Sequence, residues 1–354
     1  MVNHVFFSSY SHLNLSLIEG LFSISKTNDK IKGHYIIIGK GENLQKYLAC
    51  FEEYGIDNYI FINNIFEFLL YIIRNREQCY LLHGIPYAYI SCFIIANAKN
   101  VNWVCWGAGA RINRNNPKSI LFTPLKMLMY KKFSMSITLL TGDKISLEKD
   151  YKLKNVKVLP YYSEKHLKLK DYFISLLNSK IEKKGRIKVL LGNNAWCLSE
   201  YYKMLQKLSC YKESIQINCM LQYPQISVSI KNDFIHYGNN IYGDNFAVDE
   251  RMLNTKEYIE YINSFDIYIC PCNEQSGLGA ISTCLKLGKK VYLSGVNYEW
   301  IHSQGFQIYH IDNILDDDFL HCLNDEIKDF NFFHWYKTRE TLKDEWILFL
   351  GNIC

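Results

Sequence analysis

Residues 265–280 hold the group best suited to chemistry. A β-rich apolar run, Phe265 to Cys270, breaks at Pro271, and Glu274, Gln275, Ser276, Gly277, Leu278 and Gly279 follow before a helical pattern begins near Ala280. A helix start offers unpaired N–H groups and a partial positive charge. Glycines let an anion approach that backbone closely. The loop is therefore built to hold an anion, and a nucleotide diphosphate is the usual occupant. The same glycines also suit a plain β–α turn.

Other polar groups stand at the ends of apolar runs. His83 with Gly84 follows Tyr80–Leu82, where it is placed to act as general base, phosphate ligand or hydrogen-bonded structural histidine. Trp106 and Gly107 close a strand and lead to Arg111; a tryptophan can border a sugar and an arginine can bind an anion, or the segment is a turn beside a core tryptophan. Gly192, Asn193 and Asn194 end the run Ile187–Leu191, with amides and side chains able to hold a diphosphate or a sugar. Tyr223 and Pro224 mark a later loop, and Asp143 is placed to cap a helix. Asp316 to Asp318 match a metal-binding spacing but read better as a solvated turn or helix start. No metal or cofactor is expected.

Elements of regular length must carry these groups. Strands at His4–Ser8, His34–Ile38, Tyr59–Ile62, Tyr80–Leu82, Asn102–Trp106, Ser136–Leu140 and Val156–Pro160 alternate with helical spacings such as Leu13–Ser25, Leu44–Tyr54, Phe66–Arg74, Ala88–Asn97 and Pro124–Phe133. Such alternation means βαβ units and parallel sheets. A second block starts at Ile187; its expected elements are Tyr201–Leu208 (helix), Ser214–Leu221 (strand), Asp233–Gly238 (connector or strand) and Lys256–Ser264 (helix). The expected division is a Rossmann-like domain over 1–165, a linker over 166–186, a second Rossmann-like domain over 187–324 and a helical tail over 325–354 packing back on the first domain. The fold class is α/β, with two Rossmann-like domains facing across a cleft and ligands beyond the carboxyl ends of the strands.

Composition excludes several classes. A net charge of +5 over 354 residues argues against a dedicated nucleic-acid binder. The twelve cysteines form no C-x-x-C pair, and Cys50, Cys92, Cys105, Cys219 and Cys284 sit in apolar runs, so reduced core thiols in a reducing compartment are expected. Neither a signal peptide nor a membrane span is legible. P-loop, nucleophile-elbow and H-E-x-x-H motifs are missing, and Gly39-Lys40-Gly41 lacks the third glycine of a dinucleotide fingerprint. Residues 111–132 mix six basic residues with apolar ones, which suits either an anionic bilayer surface or a helix with one buried face.

Taken in order, His83-Gly84, Trp106-Gly107-Ala108, Thr141-Gly142-Asp143, Leu191-Gly192-Asn193, Tyr223-Pro224, Asp266, Gln275, Gly277-Leu278-Gly279, Asn297 and Trp300 resemble one family. It is the bacterial Fuc4NAc transferase family of enterobacterial common antigen synthesis, also called the 4-α-L-fucosyltransferase family. The resemblance runs from about residue 80 to 315 and more weakly over the N-terminus. It implies a metal-independent GT-B glycosyltransferase with a dTDP-sugar donor. The implied acceptor is a polyprenyl-diphosphate-linked saccharide at the cytoplasmic face of the inner membrane, with peripheral contact to the bilayer.

On that reading the donor meets Gly192, Asn193, Asn194, Tyr223, Gln275, Ser276, Gly277, Leu278 and Gly279. The acceptor meets Trp106, Gly107 and Arg111, and His83 or Glu274 takes the proton. Two departures bear on it. The family carries an acid directly after Trp-Gly-Ala where this chain has Gly109, and a neutral residue where it has Glu274. The loss at 109 keeps a second class open, a non-catalytic GT-B-like protein that binds a saccharide or partner.

Overall fold

The computed structural model describes residues 1–8, 11–27, 31–84, 98–110, 112, 117–179, 185–195, 197–222 and 226–353. The chain divides into two compact units, Met1–Lys168 with Thr338–Cys354, and Leu169–Lys337. The later boundary falls inside the helix Asp325–Glu340, and the helix Leu342–Ile353 belongs to the first unit.

The first unit holds a seven-stranded parallel sheet: β1 (Val2–Phe7), β2 (Gly33–Ile38), β3 (Tyr59–Ile62), β4 (Cys79–His83), β5 (Asn100–Cys105), β6 (Met135–Thr138) and β7 (Val156–Val158), in the spatial order β3-β2-β1-β4-β5-β6-β7. β1, β4 and most of β2 and β5 are buried along their length, as continuous apolar runs in a parallel sheet must be. On one face Val5, Ile36, Phe68, Tyr80, Leu82, Trp103 and Tyr130 pack into a single core. β1 pairs with both β2 and β4, so the strand order reverses between β1 and β4.

The second unit repeats the plan with six parallel strands: β8 (Ile187–Leu191), β9 (Ile215–Met220), β10 (Phe246–Asp249), β11 (Ile267–Cys270), β12 (Lys290–Leu293) and β13 (Tyr309–His310). Their order is β10-β9-β8-β11-β12-β13, which reverses between β8 and β11, and Ile269 registers with Leu191. In open parallel sheets the crevice at such a reversal is where ligands bind.

The helix Thr255–Asn263 carries a full capping box, Asn254 with Glu257, and Ser227 caps the helix Val228–Tyr242. That second helix corrects the expectation of a connector or strand over Asp233–Gly238. Phe234, Gly238 and Tyr242 recur every four residues and form its buried face, against which Phe246 closes so tightly that no side chain fits at Gly238. Asp143 also departs from its expected role. The helix Thr141–Asp150 begins two residues earlier, its N-cap is Leu140, and Asp143 is buried in the first turn. The expected helix Ala88–Asn97 lies outside the described residues. Among the described residues no helix is long and apolar enough to cross a membrane.

Candidate active site

The loops after β8 and β11 meet at the reversal of the second sheet. The Gly192 N–H donates to the Ile269 carbonyl at 2.7 Å, which ties the end of β8 to β11. Gly192 takes a φ of 67°, and a β-carbon there would overlap the Tyr201 phenol. The Tyr201 hydroxyl donates instead to the Asn194 carbonyl at 2.8 Å. The Asn194 amide donates to Asn193 Oδ1 at 3.0 Å and to Ser276 Oγ at 2.8 Å, so one buried side chain joins the two loops.

Asn297 holds the far side of the same loop. It is fully buried; its Nδ2 donates to the Ser276 carbonyl at 2.9 Å and its Oδ1 accepts from the Ser276 N–H at 3.5 Å. Ser276 is thus gripped through its hydroxyl, its carbonyl and its amide. Gly277 follows as N-cap of the helix Leu278–Lys286 in the left-handed region, φ 68° and ψ 21°. A β-carbon on Gly277 would stand 2.7 Å from Asn193 Oδ1 and 2.8 Å from the Tyr268 hydroxyl. Any side chain here would be strained and would collide, so glycine is required. Next to it Gly279 is exposed, and the space a β-carbon would take is open. The first turn of the helix therefore has open space beside Gly279, next to a fixed loop. The buried Gln275 Oε1 has no hydrogen-bond partner among the described residues. Glu274 is exposed on the same loop.

A disulfide joins Cys197 and Cys272 across 75 residues, with Cα atoms 5.7 Å apart. This corrects the expectation of reduced thiols at that pair. The two cysteines look unrelated in sequence, but β8 and β11 are neighbours and the loops that leave them converge. Cys50, Cys105, Cys219 and Cys284 are buried and take part in no disulfide, as expected, while Cys92 lies outside the described residues.

In the first unit, His83 ends β4 and is fully buried. Trp106 Nε1 donates to the Tyr161 hydroxyl at 2.8 Å, and that oxygen stands 3.2 Å from His83 Nδ1. His83 Nε2 lies 3.2 Å from His4 Nδ1, so both ring nitrogens stand within hydrogen-bond distance of a polar atom, and the tautomer of each ring sets which one donates. The Phe6 ring stacks on His83 at 4.3 Å and 2°. Burial, reinforced by His4, holds the His83 imidazole well below its ordinary range; burial and then His34 lower His4 to about 3. Both rings are neutral in the folded protein at pH 7.

Gly84 takes a φ of 80°, and a β-carbon there would stand 3.2 Å from the Trp106 indole. Trp346 supports the cluster: its Nε1 donates to the Pro160 carbonyl at 2.8 Å and its ring lies parallel to Tyr161 at 6.0 Å. Gly107 opens a 3-10 turn over Gly107–Ala110. In that turn a β-carbon on Gly109 would meet the Trp103 ring at 3.0 Å, so the family's acid does not fit here unless Trp103 moves.

The structure thus gathers Gly192, Asn193, Asn194, Glu274, Gln275, Ser276, Gly277, Leu278 and Gly279 at one sheet edge of the second unit. It gathers His83, Trp106 and Gly107 at one edge of the first. Tyr223 and Arg111 lie outside the described residues. Sequence reasoning missed Tyr161 and Tyr201, and gave Asn297 no role. Tyr161 carried no signal, whereas Asn297, in the first turn of the helix Gly295–Ser303 that follows the strand Lys290–Leu293, carried a readable one. Among the described residues no group of three or more His, Cys, Asp or Glu side chains is arranged to hold a metal ion, and Asp316 and Asp317 lie exposed in a turn where Asp318 pairs with Lys290 at 3.1 Å.

Two Rossmann-like units, each with a strand-order reversal, define a GT-B protein, and solved structures carry the same fold. A glycosyltransferase from Rickettsia africae matches with a TM-score of 0.67 at 14% identity, covering 99% of this chain and 98% of that one. HepE from Anabaena, solved in complex with UDP, gives 0.67 at 12% identity over 99% and 100%. A UDP-N-acetylglucosamine 2-epimerase from Rickettsia bellii gives 0.62 at 13% identity over 99% and 95%. Curated proteins yield no match. The chain belongs to the 4-alpha-L-fucosyltransferase family, glycosyl transferase group 56, whose sequence pattern matches residues 1–328. It is a glycosyltransferase.

Proposed function

We propose that the protein moves a deoxyamino sugar or related hexose from a nucleotide-diphosphate donor, a dTDP-sugar before others, to a polyprenyl-diphosphate-linked saccharide. The step belongs to bacterial surface polysaccharide synthesis of the enterobacterial common antigen or O-antigen kind, at the cytoplasmic face of the inner membrane. The observation that carries this reading is the helix start at Gly277, held open by the Asn194–Ser276–Asn297 network. The acceptor hydroxyl oxygen attacks the anomeric carbon, and the bond from that carbon to the diphosphate oxygen breaks. The nucleoside diphosphate leaves with the electron pair, and its growing charge meets amide N–H groups already in place. Those amides do the work a cation does elsewhere, so the reaction needs no metal or cofactor and chelation leaves its rate unchanged.

Glu274, exposed on the donor loop, takes the acceptor proton. His83 has no exposed surface and both ring nitrogens are engaged, so it acts as a positioning residue for Trp106 through Tyr161. Trp106, Gly107 and Arg111 border the acceptor. HepE, whose structure contains UDP, supports a nucleotide ligand on this fold.

A thermal-shift screen of dTDP, UDP, GDP and CMP tests the donor. Selective stabilisation by dTDP is expected; stabilisation by none of them removes the reading. The Glu274→Gln variant should keep nucleotide binding and lose transfer by about a hundredfold or more, and full activity in that variant would remove Glu274 from its role. The anomeric configuration of the product reports the stereochemical course.

A further inference from the structure

The helix Pro117–Tyr130 leaves Leu121 74% and Leu128 59% exposed, with Ile120 and Phe122 exposed beside them. Residues 117–132 hold four lysines and no acid. Lys131 and Lys132, both exposed, follow directly in the turn after the helix. Where this helix ends, a cavity of about 480 Å³ opens, lined by the exposed Lys131, Lys152 and Lys154 and the buried Tyr130, Phe133 and Leu153. No carboxylate lines it, and no ion pair among the described residues engages those three lysines.

Lys152 stands out by its backbone. It is the one non-glycine among the described residues with a positive φ, 55°. It follows the helix Thr141–Asp150 at the turn where the Leu153 N–H reaches back to the Leu147 carbonyl at 3.3 Å. Glycine is the usual residue at such a helix exit. A lysine there is held in an unfavourable conformation, and it delivers a charge to the cavity that glycine would not.

We propose that this cavity receives the phosphate headgroup of an anionic phospholipid while Leu121 and Leu128 enter the neighbouring acyl region. The first unit would then dock on an anionic bilayer through a headgroup pocket as well as an apolar helix. A free phosphate would use the lysines alone; a bilayer uses both the lysines and the exposed leucines, and it is the occupant the surface fits. The inference rests on the reading that the acceptor is carried in a membrane.

The test uses the full chain in flotation with phosphatidylcholine vesicles, with and without phosphatidylglycerol. Wild type should float with the anionic vesicles. Lys152→Gly removes the strained conformation and the charge together, so it should raise the melting temperature yet weaken partitioning about fivefold. The Lys131→Gln, Lys152→Gly, Lys154→Gln triple variant should lose about a hundredfold. Leu121→Ser with Leu128→Ser should also weaken partitioning.

Unchanged partitioning in Lys152→Gly and the triple variant overturns the proposal. Equal binding to neutral vesicles does so too, whereas partial displacement by inorganic phosphate at constant ionic strength would support a phosphate seat in the cavity. The triple variant should keep its thermal shift with dTDP. A wild type that transfers sugar but floats with no vesicle sinks the headgroup pocket and leaves the transferase reading standing.

Discussion

The two sheet edges at which strand order reverses solve opposite problems. In the second unit the edge is polar: Asn194, Ser276 and Asn297 hold a loop so that a helix start borders open space. In the first unit the edge is sealed: Phe6, His4, Tyr161 and Trp106 close round His83 and leave it no exposed surface. An edge with open amides can stabilise a leaving anion without rearranging. A sealed edge fixes the shape of a pocket wall but does not exchange protons with a substrate. The same strand order therefore yields a charge-stabilising site in one unit and a shape-setting one in the other.

The comparison breaks most sharply at Gly277. Gly277→Val forces a branched side chain into the left-handed region and against Asn193 and Tyr268, at a cost of about 1–3 kcal/mol. Donor binding should be lost to titration calorimetry while the first unit keeps its amide-exchange protection. Asn297→Ala should come next. It leaves the Ser276 carbonyl buried without its donor, costing about 1–3 kcal/mol. Donor KM should rise about tenfold or more with a smaller change in kcat, and Asn297→Asp, which keeps the Oδ1 acceptor but loses the Nδ2 donor, should recover only part of the loss. Tyr161→Phe, by contrast, should leave donor KM unchanged and act on the acceptor.

Acid sharpens the comparison from the other side. His4 and His83 have folded pKa values below the unfolded value, so their stabilising effect is complete above about pH 6.5. Below it the unfolded chain binds protons that the folded chain refuses, and stability falls as pH falls toward the folded value, about 3 for His4. The slope approaches about 1.4 kcal/mol per pH unit for each histidine. Hydrogen exchange between pH 6.5 and 5 should show β1 and β4 losing protection. The smallest effect is expected at the disulfide: Cys197→Ser frees one tie between the donor loops while Asn194 keeps the other, so nucleotide affinity should weaken only about threefold.

Much of this architecture was legible in the residues. Runs such as Ile36–Ile38 and Ile187–Leu191, separated by helical spacings, are what the buried strands of parallel sheets call for. Gly277 was legible as a glycine between a strand and a helix, suited to an anion site or to a plain turn, and its left-handed backbone against Asn193 and Tyr268 is what the structure adds. The helix Val228–Tyr242 was not, because Lys231, Asn232 and Asp233 interrupt its apolar spacing. The Cys197–Cys272 pair and the Tyr161 bridge were hidden for a different reason. Each joins segments that only strand order brings together, and no local pattern encodes strand order.

The direct test is hydrogen–deuterium exchange of the full chain with saturating dTDP. Slowed exchange should appear in peptides over residues 192–195 and 275–281, where the amides of the helix start meet the diphosphate. Saturable nucleotide binding with unaltered exchange in residues 275–281 would contradict the account.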